Sequence, residues 1–194
     1  MSKVKLDFTY DIENEARRVI YTLGKRDFYV EHGYAPKIPN GLTTRDMADV
    51  NKITKIIAKE MNHATVDLFI NDIKIWWDEH QDTVLKGLEG LNCDIPTEIN
   101  ILITQYGVGG SYNPPQKIIM NIHNVHNPHN TLVHEFVHCI IEIPIINKLN
   151  IVHEDKERLV DYFLINNFSK LFPEYAYQRF GPPSRELLKK VGWK

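Results

Sequence analysis

The segment between Asn127 and Pro144 gives the most specific structural prediction in this sequence. Asn127 and Pro128 predict a helix start. Asparagine is a favoured N-cap residue, and proline suits the first helical position because the backbone N–H that it lacks would have no partner there. Pro144 disfavours continuation of the helix much beyond Glu142. Apolar side chains cover most of the helix between these limits: Leu132, Val133, Phe136, Val137, Ile140 and Ile141. The helix is therefore expected to be buried.

Three polar side chains interrupt this apolar helix. His134 and His138 are four residues apart, so their side chains project from one face, one turn apart, and can bind one metal ion. Glu135 lies beside them, where its carboxylate can accept a proton from water. Such groups are costly to bury unless a metal ion or hydrogen bonds satisfy them. The pattern favours a metal site over a coincidental group of buried polar residues.

A second helix is expected to supply a third ligand, which a catalytic metal ion requires. Residues 153–164 (HEDKERLVDYFL) predict this helix, with acidic residues in its first turn. Glu157 lies 19 residues after His138, and Asp161 lies one turn beyond Glu157 on the same face. The pair offers one carboxylate ligand and one carboxylate that can accept a proton from the far nitrogen of a ligand histidine.

The two motifs together resemble a family of zinc peptidases. HEFVH at residues 134–138 and ERLVDYF at residues 157–163 are similar to the gluzincin pattern, HExxH followed by an ExxxD helix. The similarity extends to the compact ImmA/IrrE-type metallopeptidases, in which a strand ending in asparagine precedes a TL-HExxH helix and an ER-x-A-D-x-F helix. Residues 118–121 and 131–135 match the first two of these elements. The resemblance covers roughly residues 98–168.

This resemblance implies a zincin-like fold and a specific set of site residues. It implies one Zn²⁺ ion with His134, His138 and Glu157 as ligands. It also implies Glu135 as the general base and Asp161 as the residue that orients a ligand histidine.

His153 is the alternative third ligand. It lies 15 residues after His138, a spacing that resembles the SprT-like DNA–protein crosslink proteases, which use a third histidine. Those proteases usually have a glycine after that histidine, whereas two acidic residues follow it here. Because Glu157 and Asp161 are present as a pair, we favour Glu157.

The later part of the chain predicts a small mixed sheet. Residues 98–105 (EINILITQ) and 117–123 (KIIMNIH) are isoleucine-rich segments typical of strands, and a glycine- and proline-rich connection joins them. We therefore expect residues 96–194 to form a zincin-like metallopeptidase domain of α+β class, in which the sheet accompanies the HExxH helix and the second ligand-bearing helix.

The region before residue 96 is predicted to be helical and to pack on or cap the catalytic part. An amphipathic segment runs from Asp11 to Gly24. Thr43 and Asp46 predict a cap that opens a second helix reaching Met61.

The function expected from these features is that of a zinc-dependent metallopeptidase, an endopeptidase acting on a peptide or protein substrate. We expect the substrate to lie extended along residues 117–123, because a free strand edge supplies main-chain hydrogen bonds. The residue that stabilises the oxyanion stays open among six candidates: Tyr106, Tyr112, His153, Tyr175, Tyr177 and Arg179. The alternatives are a zinc-binding regulatory module that works through a protein partner, an SprT-like protease, and a structural protein with an accidental motif.

Composition narrows the cellular setting. The 194 residues include 23 basic and 25 acidic side chains, so no overall charge attracts nucleic acid or membrane. Cys93 and Cys139 lack CxxC spacing, which argues against a disulfide framework or a cysteine zinc cluster. The N-terminal residues lack a signal-peptide core, and no uncharged stretch approaches the roughly 20 residues of a membrane span. We expect a cytoplasmic protein.

Overall fold

The computed structural model describes residues 3–123 and 127–193. Within them, four strands form one sheet: β1 (Lys5–Thr9), β2 (Glu98–Thr104), β3 (Gly110–Asn113) and β4 (Lys117–Asn121). The helices are α1 (Ile12–Gly24), α2 (Arg26–Glu31), α3 (Val50–Glu60), α4 (His63–Leu88), α5 (Pro128–Ile141), α6 (His153–Phe168) and α7 (Arg185–Val191). The fold is therefore of α+β class, as expected.

The sheet is small and mixed, which confirms that part of the prediction. Its strand order is β1-β2-β4-β3, with β1, β2 and β4 parallel and β3 antiparallel to β4. The strands predicted at residues 98–105 and 117–123 are β2 and β4, and the connection between them contains β3.

The expectation that β4 offers a free edge to a substrate is wrong. β4 pairs with β2 on one side and with β3 on the other, so both of its edges are occupied. The glycine- and proline-rich connection folds back as β3 and pairs with β4. Among the described strands, β3 is the edge strand on this side of the sheet.

The N-terminal region is not entirely helical, because β1 belongs to the sheet. Lys5–Thr9 pairs in parallel with β2, with Leu6 opposite Ile99 and Phe8 opposite Ile101. A strand of five residues is too short for its alternation to stand out in the sequence, and its partner lies about ninety residues away.

Helix starts follow the predicted capping chemistry in part. Asp11 caps α1, which ends at Gly24 as predicted. Thr43 and Asp46 form the expected capping box, but on a single 3₁₀ turn. Asp49 instead caps α3, because its side chain accepts a hydrogen bond from the first turn of that helix.

One hydrophobic core joins the two predicted parts of the chain. It combines Ile73 and Trp77 of α4 with the inward face of the sheet, including Ile101 and Ile118, and with Phe136 of α5. Residues on both sides of the expected boundary at residue 95 thus share a core; the boundary itself stays a prediction.

The opposite face of the sheet meets α1. Leu102 and Ile119 are register partners, so their side chains point to the same face, away from α4 and α5. A smaller cluster on this side joins Ala16 and Val19 of α1 to Ile53 of α3.

The 26-residue helix α4 is long, yet polar on one side. Its buried residue Trp77 donates an indole N–H bond to the carbonyl of Val4, 3.1 Å away. Among the described residues, no helix has both the length and the apolar character needed to cross a membrane.

Candidate metal centre

Helix α5 brings the two histidines together as the sequence predicted. Asn127 caps it by accepting hydrogen bonds from the backbone N–H groups of His129 and Asn130, both at 3.1 Å. The helix ends at Ile141, and the chain continues through Pro144 in a π-helical turn, Glu142–Asn147. All side chains from residue 132 to residue 141 are buried, including those of the motif.

Glu157 of α6 completes a three-residue group with His134 and His138. The Nε2 atoms of the two histidines are 3.0 Å apart. Oε2 of Glu157 lies 3.2 Å from Nε2 of His138 and 3.4 Å from Nε2 of His134. All three residues are buried, and their converging ligand atoms can hold a metal ion.

The ring of His134 is held in one tautomer by Tyr175 and Asp161. The Tyr175 hydroxyl lies 2.6 Å from Oδ1 of Asp161 and 2.8 Å from Nδ1 of His134. Because the carboxylate only accepts, the hydroxyl donates to Asp161 and accepts from Nδ1–H of His134. Nε2 of His134 therefore carries the lone pair, which is the form a metal ligand needs.

Asp161 thus acts on His134 through Tyr175 more than directly. The direct separation between Nδ1 of His134 and Oδ1 of Asp161 is 3.7 Å, beyond hydrogen-bond distance. The other Asp161 oxygen accepts a 2.7 Å bond from the backbone N–H of Gln178. The segment after α6 therefore fixes the carboxylate that the sequence had singled out.

His138 is held by stacking on Tyr112 of β3. The two rings are 4.5 Å apart and inclined by 5°. The Tyr112 hydroxyl lies 2.6 Å from Oε2 of Glu142 and also 2.6 Å from Nζ of Lys156. Nδ1 of His138 is buried and has no hydrogen-bond partner within the described part of the chain. The edge strand therefore fixes the orientation of this ring.

The Glu135 carboxylate lies beside the three-residue group and against β3. Burial raises its pKa to about 7, while the neighbouring His134 opposes the shift. A Cβ added at Gly110 would overlap Oε1 of Glu135 and would lie 2.7 Å from Cγ2 of Thr131. Glycine at this strand position is therefore what allows the carboxylate to approach the sheet edge.

The charge on Glu157 is stabilised by the two histidines. Burial alone would raise its pKa, but the charge and hydrogen bonds of His138 and His134 hold that pKa well below its usual range. His153, the alternative ligand, contacts the outer oxygen, with Nδ1 3.6 Å from Oε1 of Glu157. The structure therefore groups His134, His138 and Glu157 and leaves His153 at the periphery.

An open cleft of about 540 Å³ lies over the group. Its walls include β3, the start of α6 and the segment that carries Tyr175. Three aromatic residues of the N-terminal region also line it: Phe28, Tyr29 and Tyr34. These three residues were not predicted, because no local sequence pattern marks a side chain that reaches a site about a hundred residues later in the chain.

The six oxyanion candidates separate by position. Tyr112, His153 and Tyr175 line the cleft, whereas Tyr106, Tyr177 and Arg179 are not among its lining residues. The Tyr106 hydroxyl lies 2.8 Å from Oε2 of Glu60 instead.

Comparisons of this chain with models of known protein families, with curated proteins and with solved structures gave no match.

Proposed function

We propose that this protein is a zinc-dependent metallopeptidase. The observation that carries the proposal is the convergence of three ligand atoms, all within 3.4 Å of one another, on the floor of an open cleft beside the buried Glu135. Two imidazoles and one carboxylate, with room for water and substrate, are typical of catalytic zinc sites.

The spacing of the ligand atoms fits zinc. Ligand atoms about 2.0–2.1 Å from a tetrahedral zinc ion are roughly 3.3 Å apart. The observed separations of 3.0, 3.2 and 3.4 Å lie on both sides of that value. The tautomer of His134 directs a lone pair into the same space.

The chain's own residues support a proton-transfer role for Glu135. With a pKa raised to about 7, its carboxylate can accept a proton from the attacking water and return it to the leaving amine near neutral pH. A zinc ion held by His134, His138 and Glu157 would supply a Lewis acid and lower the pKa of water.

The free edge of β3 is the proposed binding surface for an extended peptide. Gly110 at its start adjoins Glu135, and Tyr112 packs on His138, so this edge runs past the reacting groups. Unpaired main-chain groups of an edge strand can bond to a peptide, as in other β-strand additions.

Cleavage of a peptide library by the zinc-loaded protein tests the proposal. We expect the wild-type protein to cleave and Glu135→Gln to lose cleavage while keeping its zinc. Cleavage that persists in Glu135→Gln would contradict the role of Glu135. Zinc binding by a wild-type protein that cleaves nothing would instead support the regulatory-module alternative.

A further inference from the structure

A second cavity lies on the other face of the edge strand. It has a volume of about 280 Å³ and lies between α1 and the sheet face that carries Leu102 and Ile119. Tyr29, Ser111 and Tyr112 line both this cavity, here called the α1 cavity, and the cleft over the metal centre. The two spaces therefore meet around β3.

The α1 cavity is basic. Three basic residues line it, Arg17, Arg18 and Lys117, and within the described ranges no acidic residue does. Arg17 is mostly exposed and pairs with Glu13 on the surface. Arg18 differs from it because only 6% of its surface is exposed.

Arg18 lies over the Tyr21 ring, 5.8 Å from its centroid, but two of its guanidinium nitrogens have no hydrogen-bond acceptor among residues 3–123 and 127–193. These nitrogens are the buried Nε and Nη2 atoms. Glu15, one turn earlier, does not serve, because its oxygens accept bonds from Oγ1 of Thr104 at 2.5 Å and the backbone N–H of Gln105 at 2.8 Å. A buried guanidinium without an acceptor is costly, so it favours an anionic ligand.

The register of the sheet connects this cavity to a bound peptide. Ser111 pairs with Ile119, so its side chain points to the α1 face, whereas Gly110 and Tyr112 face α5. The Ser111 hydroxyl is buried and has no hydrogen-bond partner in the part of the chain that is described. A peptide paired with β3 would likewise alternate, with every second side chain directed to the α1 cavity.

We propose that the α1 cavity is a specificity pocket that binds an acidic side chain of the peptide substrate, with Arg18 as the recognition residue. The inference rests on the proposed peptidase function. Arg18 and Ser111 both line the α1 cavity, and two guanidinium nitrogens and one hydroxyl there lack hydrogen-bond partners within the described residues. Both groups can donate to a carboxylate. Because Ser111 follows the residue that adjoins Glu135, the acidic side chain lies within a few residues of the cleaved bond.

A positional scan of a cleaved peptide tests this inference. Glutamate is placed at each position around the cleaved bond in turn and compared with glutamine. The wild-type protein is expected to prefer glutamate about tenfold or more in kcat/KM on one alternating set of positions, with little effect at the positions between. A preference that is absent, or equal at all positions, would overturn the pocket even if no variant could be made.

Arg18→Gln is expected to abolish that preference. Arg45→Gln, which removes the same charge from an exposed site, is expected to retain it. Retention of the preference by Arg18→Gln would overturn the assignment.

Binding of the same peptides, measured by fluorescence anisotropy, separates this inference from the proposed function. Glutamate-dependent binding that Arg18→Gln removes, without any cleavage, would support the pocket and contradict the peptidase. Cleavage that does not depend on glutamate would support the peptidase function and contradict the pocket. If the peptides are neither cleaved nor bound, both proposals are overturned.

Discussion

At the scale of single residues, the candidate metal centre depends on the Tyr175 hydroxyl, which lies between Asp161 and His134. The Tyr175 hydroxyl connects Asp161 to His134, because it donates a hydrogen bond to the carboxylate and accepts one from the imidazole ring. Such partners fix the tautomer and raise the basicity of a ligand histidine.

Tyr175→Phe is expected to weaken zinc binding about 10- to 100-fold while the protein stays folded. The phenyl ring keeps the packing, but Nδ1 of His134 loses its acceptor. Competition with a zinc chelator measures the affinity. Tyr177→Phe, which removes a hydroxyl that does not line the cleft, is the control. Equal affinities for the two variants would show that the hydroxyl does not support the ligand.

The sequence predicted His134, Glu135, His138, Glu157 and Asp161 as a group for two reasons: four-residue spacings within two helices and the resemblance to a known pair of motifs. Tyr175 entered only as one of several oxyanion candidates. It lies 41 residues from His134, after the end of α6, and no helical period connects the two. Contacts made by an irregular segment leave no local pattern to read.

At the scale of elements, β3 is the strand that carries the proposed peptide-binding edge. It contributes Gly110 against Glu135 and Tyr112 against His138, and no described strand pairs with its outer edge.

Gly110→Ala is expected to lower kcat on the order of 10- to 100-fold with little loss of zinc. The added Cβ overlaps Oε1 of Glu135 and displaces the proposed base, and small displacements of a reacting group have effects of this size. Steady-state kinetics and metal content together measure it. Gly90→Ala is the control, because a Cβ there meets its neighbours at an ordinary 3.7 Å. An unchanged kcat in Gly110→Ala would contradict the proposed position of the base.

Helix α1 carries a pH-dependent contribution to stability through Glu15. Burial raises the pKa of Glu15 from 4.5 to about 7. As pH rises, the unfolded chain releases this proton first, so the free energy of unfolding falls between about pH 4.5 and pH 7. The fall amounts to on the order of 3 kcal/mol.

Glu15→Gln is expected to remove most of that fall. Urea unfolding of the wild-type and Glu15→Gln proteins at pH 4.5 and pH 7.5 measures the change in unfolding free energy between the two pH values. The difference between the two proteins isolates Glu15, because the other titrating groups contribute equally to both. Glu13→Gln, on the exposed side of the same helix, should leave the pH dependence unchanged. A Glu15→Gln protein with the full wild-type dependence would show that Glu15 titrates normally.

Elements with local signals were predictable, and those held by distant pairing were not. The caps at Asp11 and Asn127 identify α1 and α5 within the sequence itself. β1 and β3 depend on partners that accept them, and β3 lies in a glycine-rich stretch with weak strand propensity. The sheet face that carries Leu102 and Ile119, next to Arg18, depends on the same strand pairing and was therefore not predicted either.

At the scale of the whole molecule, the candidate metal centre joins the core helices α5 and α6. Two buried histidines and a buried glutamate converge there, so a zinc ion that binds only the folded state would stabilise the whole protein.

Removal of zinc with a chelator is expected to lower Tm by roughly 5 to 10 °C at a free zinc concentration of about 100 times Kd before removal. Differential scanning calorimetry measures the change, and restored zinc should reverse it. A Tm that does not respond to zinc would mean that the ion does not bind the folded state preferentially.

Native mass spectrometry of the purified protein tests whether His134, His138 and Glu157 hold one zinc ion. We expect one zinc ion per wild-type chain, a loss of zinc in Glu157→Ala, and full occupancy in His153→Ala. A wild-type protein without stoichiometric zinc would contradict this ligand set. A His153→Ala protein that loses zinc, together with a Glu157→Ala protein that keeps it, would also contradict it.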